Sequence, residues 1–247
     1  MYSFKDIKEK IKKDRNPSHD IVFYFGTKFS IYFSWLFINL GLSPNFITGV
    51  FFLIGLIGAL MILTSIPYNP LIIIVSYILW RLHMIIDLCD GEVARYTQSF
   101  SINGAYWDFM IHSILYPLYF INICIVQFYR FDQIIYLFIG IFGSLIVSLM
   151  FAVKNNYFRA MFANNYSLSE YKEKTKNKNI KSLKNRFFVY FSDLFGFEGF
   201  LILFCVIQFL DAIFIKYFLL SYTFLFFGIA ISKLILLSVK GYYPKKN

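Results

Sequence analysis

The chain has 247 residues, of which 58% are hydrophobic and only 15% are charged, whereas soluble domains average roughly 45–50% apolar and about 25% charged residues. This composition excludes an ordinary soluble protein. The formal charge of +10 raises the question of a nucleic-acid partner, but the basic residues cluster beside apolar segments, as in loops on the cytoplasmic side of a membrane. We therefore predict an integral, multi-pass membrane protein that binds membrane lipid and no nucleic acid.

The first 40 residues combine a basic stretch with an aromatic-rich apolar one. The stretch from Lys5 to Arg15 is strongly basic, and residues 20–40 are long enough to cross a bilayer but contain Lys28 and many aromatic residues. Aromatic side chains favour the membrane interface. If this segment crossed, the basic stretch would face the side opposite to the other basic clusters, against the positive-inside bias. We therefore predict a cytoplasmic tail followed by an interfacial amphipathic helix over residues 1–40.

Hydropathy predicts six transmembrane helices within residues 41–247, which makes the fold class an all-α membrane protein. Each predicted span has about 20 residues, the length that an α-helix needs to cross the hydrocarbon core. The spans are residues 46–66, 70–95, 104–128, 133–153, 190–211 and 215–239. Most of the 24 lysines and arginines lie in the N-terminal tail, the polar loop 154–189 and the C-terminal tail, so these three segments are predicted to be cytoplasmic.

Polar residues interrupt the second and third spans where this topology brings both to the cytoplasmic side. Five residues at helical spacing share one face of the second span: Asp87, Asp90, Gly91, Ala94 and Arg95. In the third span, Asp108 and His112 lie one turn apart. Carboxylates inside a membrane helix are costly and usually functional, and oxygen ligands suit hard ions such as Mg²⁺ or Mn²⁺, whose usual partner is a phosphate. We therefore predict a divalent-cation and phosphate site between the two helices, where Arg95 could bind a phosphate oxygen.

Two other interpretations of this cluster stay open. The aspartates could form structural pairs with Arg95, Arg81 or lysines, while the small residues allow close helix packing. A transporter could use the same aspartates to bind a passing cation, although the sequence has no sign of the broken-helix repeats found in transporters.

The spacing of these residues also matches a long motif. The chain has Asp87-x-x-Asp90-Gly91-x-x-Ala94-Arg95, eight residues, then Gly104-x-x-x-Asp108-x-x-x-His112. This segment resembles the signature of the CDP-alcohol phosphotransferase family, DxxDGxxAR, seven or eight residues, then GxxxDxxxD. Every position matches except the last, where His112 replaces an aspartate. The resemblance extends to the interfacial helix, to Ser43-Pro44-Asn45 and Thr48 at the start of the first span, and to the six spans.

The resemblance implies an enzyme that transfers a phosphoalcohol group from a CDP-linked donor to a hydroxyl acceptor and releases CMP, in phospholipid or related lipid or glycan synthesis. The donor would be CDP-diacylglycerol or a CDP-linked small alcohol, and the active site would face the cytoplasm. Relatives are commonly homodimers, so a homodimer is expected. A catalytically inactive relative is the alternative.

Residue roles also follow from the resemblance. Asp87, Asp90 and Asp108 would hold one or two Mg²⁺ or Mn²⁺ ions. The CDP pocket would be lined by Pro44, Asn45, Thr48, Asp90, Gly91, Ala94, Arg95 and Gly104.

Catalysis would depend on Asp108 and His112, because His112 occupies the position of the family's proton-accepting aspartate. A neutral imidazole is at least as suited as a carboxylate to taking a proton near pH 7, but His112 could equally be a metal ligand.

Two further residues of the second span have alternative roles. His83 could contact the acceptor, although a buried, hydrogen-bonded histidine is the favoured interpretation. Arg81 lies off the site face and is predicted to pair with Glu198 or Asp193.

Overall fold

A computed structural model describes residues 2–14, 22–163 and 195–239. Within these ranges the chain forms helices and no strands. The helices are α1 (Phe4–Asp14), α2 (Val22–Asn39), α3 (Pro44–Leu63), α4 (Pro70–Thr97), α5 (Ile102–Phe131), α6 (Ile135–Ala163), α7 (Phe197–Ile207) and α8 (Ala212–Val239). The predicted all-α class is confirmed.

Five helices in the described ranges are long and apolar enough to cross a membrane, namely α3, α4, α5, α6 and α8. They correspond to five of the six predicted spans and indicate an integral membrane protein. The predicted span 190–211 is represented by α7, an apolar helix of 11 residues, and its first residues lie outside the described ranges. The helix α2, of 18 residues, is not among the five.

Two boundaries differ from the sequence-based expectation. The helix α6 continues to Ala163, so the first ten residues of the predicted loop 154–189 are helical, and the remainder lies outside the described residues. Hydropathy detects the end of an apolar stretch, but polar residues such as Asn155 and Asn156 do not by themselves end a helix. In the N-terminal tail, α1 is an additional helix that packs through Ile7 and Ile11, both buried.

The residues before α3, α4 and α5 determine where these helices start. Ser43, Asn69 and Ser101 each accept a hydrogen bond from a backbone amide of the first turn through their side-chain oxygen. A side-chain acceptor at this position satisfies one of the free amides at a helix start. In α3 and α4, a proline follows the cap directly, and proline suits the first helical position because it needs no amide partner there.

The helix α3 packs against both α4 and α5. Contacts are close because α3 has a glycine, Gly58, where an added Cβ would collide with the Tyr119 hydroxyl. Hydrogen bonds add to this packing, since Ser76 Oγ donates to the Gly58 carbonyl over 2.6 Å and Asn122 Nδ2 donates to the Ala59 carbonyl over 2.8 Å. Small residues and interhelical hydrogen bonds commonly hold membrane helices together. With α3 as a common support, α4 and α5 present their polar faces to each other at one end.

The helix α2 lies against α4 through a buried carboxylate. Glu92 is only 1% exposed, and it accepts hydrogen bonds from Ser30 Oγ over 2.8 Å and from Ser34 Oγ over 2.7 Å. The opposite face of α2 is apolar and exposed, as Phe29, Tyr32, Leu36 and Leu40 show. The helix α2 therefore turns its polar face to the protein and its apolar face outward, and its predicted interfacial position stays a prediction.

Removing both serines is expected to weaken this attachment. The double change Ser30→Ala, Ser34→Ala takes two hydrogen bonds from a buried carboxylate, and should destabilise the fold by about 2 kcal/mol or more. The thermal unfolding midpoint in detergent measures the effect. Ser144→Ala is the control, because the Ser144 hydroxyl donates a hydrogen bond to the Ile141 carbonyl of its own helix and, among the described residues, to no other helix. Equal midpoints for the double variant and this control would contradict the role given to the serines.

Candidate active site

The polar faces of α4 and α5 converge on three side chains. Asp87 from α4 meets Asp108 and His112 from α5, and one ligand atom from each lies within 4.8 Å of the others. His112 Nε2 is 3.1 Å from Asp108 Oδ1 and 3.4 Å from Asp87 Oδ1. Two carboxylates and an imidazole are a donor set that fits a divalent cation. Helical spacing on two separate helices has thus brought these predicted residues together.

Asp90 lies beside this group rather than in it. Its Oδ2 accepts a hydrogen bond from Thr48 Oγ1 over 2.8 Å, which joins α4 to α3. Among the described residues, the three-residue cluster with metal-ligand spacing contains Asp87, Asp108 and His112 but not Asp90. Of the three predicted metal ligands, two therefore lie in the cluster, and the third faces the cleft next to it.

A cleft of about 230 Å³ opens next to the cluster, between the ends of α3, α4 and α5. All eight residues predicted to line a CDP pocket lie around it, and Asp108 belongs to both the cleft and the cluster. The lining residues are Pro44, Asn45, Thr48, Asp90, Gly91, Ala94, Arg95, Ser99, Phe100, Ser101, Gly104, Ala105 and Asp108.

The connection between α4 and α5 supplies lining residues that the sequence analysis missed. Ser101 Oγ accepts from the Gly104 amide over 2.8 Å and donates to Asn45 Oδ1 over 2.9 Å. A Cβ at Gly104 would lie only 2.9 Å from Asn45 Oδ1, so the glycine leaves room for this contact between α5 and α3. The family signature specifies no residue between positions 96 and 103. The sequence feature that could have identified Ser101 as a lining residue is its position directly before a helix.

Arg95 lies on the cleft wall above Gly91. A Cβ at Gly91 would be 3.1 Å from one guanidinium nitrogen of Arg95, so the glycine makes room for that side chain. Within the described part of the chain, Arg95 forms no ion pair. Its guanidinium is therefore free to bind an anion in the cleft.

Arg81 pairs elsewhere, with Glu198 of α7. The guanidinium lies 2.6 Å from Glu198 Oε2, and the indole nitrogen of Trp80 donates to Glu198 Oε1 over 2.6 Å. The predicted Arg81–Glu198 pair is confirmed, while the alternative partner Asp193 lies outside the described residues. Among the described residues, neither Arg81 nor Arg95 forms an ion pair with a site aspartate.

His83 has the role of a buried structural histidine. It is fully buried, and its Nδ1 lies 2.8 Å from the Phe51 carbonyl oxygen. Because a carbonyl only accepts, Nδ1 carries the proton in this hydrogen bond. The ring centroid is 5.8 Å from that of His112, so His83 packs against the cluster from the membrane interior.

A comparison with known protein families gives a match. The sequence pattern of the family described as CDP-alcohol phosphatidyltransferase matches residues 41–183, a segment that contains α3 to α6, the cleft and the whole cluster. No curated protein matches the chain. The matched segment covers more than half of the 247 residues. The chain belongs to the CDP-alcohol phosphatidyltransferase family.

Proposed function

We propose that this protein transfers a phosphoalcohol group from a CDP-linked donor to a hydroxyl acceptor and releases CMP, in phospholipid or related lipid or glycan synthesis. Family membership supplies the reaction type. The observation that carries the proposal is the shared position of Asp108, which belongs both to the cleft and to the Asp87–Asp108–His112 cluster. A diphosphate in the cleft would therefore lie beside groups able to act on it.

The cluster and Asp90 would hold one or two divalent cations, Mg²⁺ or Mn²⁺. Such ions would neutralise the charge of the diphosphate and stabilise the departing CMP. The carboxylates of Asp87, Asp90 and Asp108 offer the oxygen ligands that these metals prefer.

The cleft residues would bind and orient the donor. Arg95 has a guanidinium available for two parallel hydrogen bonds to a phosphate, while Gly91 and Gly104 leave room for the nucleotide between α4 and α5. Thr48 fixes the orientation of the Asp90 carboxylate from α3. Preorganised groups of this kind lower the barrier by positioning the reacting atoms.

His112 would take the proton from the acceptor hydroxyl. The acceptor oxygen then forms a bond to the β-phosphorus, the bond from that phosphorus to the bridging oxygen breaks, and CMP leaves with that oxygen. His112 Nε2 faces the carboxylates of Asp87 and Asp108, which only accept hydrogen bonds, so Nε2 carries a proton there and the lone pair able to take a further proton belongs to Nδ1. In the alternative role, as a ligand of the cation, His112 would use Nε2 in place of that proton.

The proposed orientation places the cleft on the cytoplasmic side, because α1 contacts the same end of α4. Lys10 Nζ donates to the Tyr96 carbonyl over 3.1 Å, so the basic N-terminal helix lies one residue away from Arg95. Basic segments favour the cytoplasmic side. A homodimer is expected from the family and remains part of the proposal.

The proposal is tested with purified protein, CDP-diacylglycerol, CDP-ethanolamine or CDP-choline, and a membrane-lipid extract as the source of acceptors. We expect CMP release that stops with EDTA and returns with excess Mg²⁺ or Mn²⁺. No CMP from any donor would favour an inactive relative. Metal flux into liposomes without CMP release would favour a transporter.

A further inference from the structure

Three aromatic rings pack around the imidazole of His112. The ring centroids of Tyr116, His83 and Phe51 lie 5.6, 5.8 and 6.3 Å from that of His112. Nε2 faces the two carboxylates of the cluster, whereas Nδ1 is buried and has no hydrogen-bond partner among the described residues. Polar contacts therefore fix only the Nε2 end of the ring, and the surrounding rings determine the direction of the Nδ1 lone pair.

Trp80 of α4 supports two of these three rings. Its side chain is fully buried, and its ring centroid lies 4.7 Å from that of Tyr116 and 5.2 Å from that of His83. Close-packed interiors transmit small displacements, because they contain few voids that could absorb them. A shift of the indole would therefore move two neighbours of the His112 ring.

Trp80 is itself held by α7. The indole nitrogen donates to Glu198 Oε1 over 2.6 Å, and the other carboxylate oxygen of Glu198 accepts from Arg81 over 2.6 Å. Hydrogen bonds to an ionised carboxylate are strong, so both ends of this contact have defined positions. The adjacent Phe197 packs against Tyr116, with ring centroids 4.6 Å apart. Glu198 and Phe197 follow the segment 41–183 that matches the family.

We infer that Glu198 is a positioning residue for His112, because it holds the Trp80 indole and Trp80 holds rings that direct His112 Nδ1. The inference rests on the proposed function, which takes His112 as the group that accepts the proton. Glu198 is not among the residues that line the cleft. Loss of its support should therefore lower kcat and leave the KM for the donor unchanged.

The test compares CMP release by Glu198→Ala and Glu198→Gln. The alanine variant loses the acceptor for the Trp80 indole, and kcat should fall about 10- to 100-fold, the usual effect of a misplaced catalytic group. The glutamine variant keeps a side-chain oxygen that accepts from the indole, and it should retain most of kcat. Equal losses of kcat in the two variants would contradict a role through Trp80.

Trp80→Phe measures the same support with the Arg81–Glu198 ion pair intact, and it replaces Glu198→Ala if the unpaired Arg81 prevents folding. Its expected result is also a loss of kcat at unchanged KM. The matched control is Tyr68→Phe, because the Tyr68 hydroxyl donates over 2.8 Å to the carbonyl of Gln208 at the other end of α7. This control loses one contact of α7 and should keep the wild-type kcat.

A double variant separates positioning from a general loss of structure. If Glu198 and Trp80 act through His112, then Trp80→Phe should cause no further loss of kcat in the His112→Ala background, since residues that act as one unit are not additive. A further tenfold loss in that background would overturn the inference.

A measurement without turnover separates failure of this inference from failure of the proposed function. The chain has three histidines, so nuclear magnetic resonance of protein labelled with ¹⁵N-histidine gives few signals, and His112→Ala identifies the one from His112. That signal should shift in Trp80→Phe and Glu198→Ala but not in Tyr68→Phe. An unchanged signal in the first two variants would overturn the inference and leave the proposed function standing. A shifted signal in a protein that releases no CMP would contradict the proposed function and still support the contact of Trp80 and Glu198 with His112.

Discussion

Asp87→Asn is expected to reduce CMP release by about 1000-fold or more. The change keeps the shape of the side chain but removes one of the two carboxylate charges in the cluster. Charge stabilisation by a bound cation contributes several kcal/mol to phosphoryl transfer, and each ~1.4 kcal/mol corresponds to a tenfold change in rate. The expected loss is therefore in kcat, and it should persist at saturating donor concentration.

Asp132→Asn is the matched control for this variant. Asp132 ends α5 at the opposite end from the cluster, and its φ of 50° is a left-handed conformation that asparagine also tolerates. The control should release CMP at the wild-type rate. A second readout is Mn²⁺ binding, measured by electron paramagnetic resonance, which should weaken in Asp87→Asn alone. Wild-type CMP release by Asp87→Asn would remove this residue from the reaction.

His112→Ala is expected to lower CMP release by about 100- to 10,000-fold, the usual contribution of a general base. His112→Asp, which introduces the aspartate of the family signature, should retain most of the activity. This follows from the family signature, which has an aspartate as the proton acceptor at this position.

Metal affinity distinguishes the two roles of His112. If it acts as the base, His112→Ala binds Mn²⁺ with wild-type affinity and loses kcat. If it is a ligand, Mn²⁺ affinity falls and excess metal restores part of the rate. Full activity of His112→Ala at low metal concentration would rule out both roles.

The convergence of the cluster could be predicted because it depends on local helical spacing. Asp87 and Asp90 lie on one face of α4, and Asp108 and His112 on one face of α5, so a short connection between the helices brings the faces together. The exclusion of Asp90 from the cluster could not be predicted in this way. Asp90 instead accepts a hydrogen bond from Thr48, a residue of a third helix, and helical spacing within α4 does not reveal such a contact.

The packing of α3 against α5 could not be predicted from the sequence for a related reason. Hydropathy identifies α3 and α5 as spans but does not show that they are neighbours. The N-terminal helix α1 was missed because its lysines lower the mean hydropathy. The spacing of Ile7 and Ile11, one turn apart, was the signal that would have identified it.

The ion pair between Arg81 and Glu198 has a consequence for the biogenesis of the protein. The two residues are separated by 117 positions, so a ribosome finishes α4 long before α7 exists. A charged residue near the centre of a membrane helix costs roughly 2.5–3.5 kcal/mol during insertion. Until α7 arrives, α4 holds Arg81 in the bilayer without this counter-charge. Docking of α7 against α4 therefore supplies the counter-charge of Arg81 in the helix that carries Asp87, and a chain truncated before α7 would leave Arg81 without it.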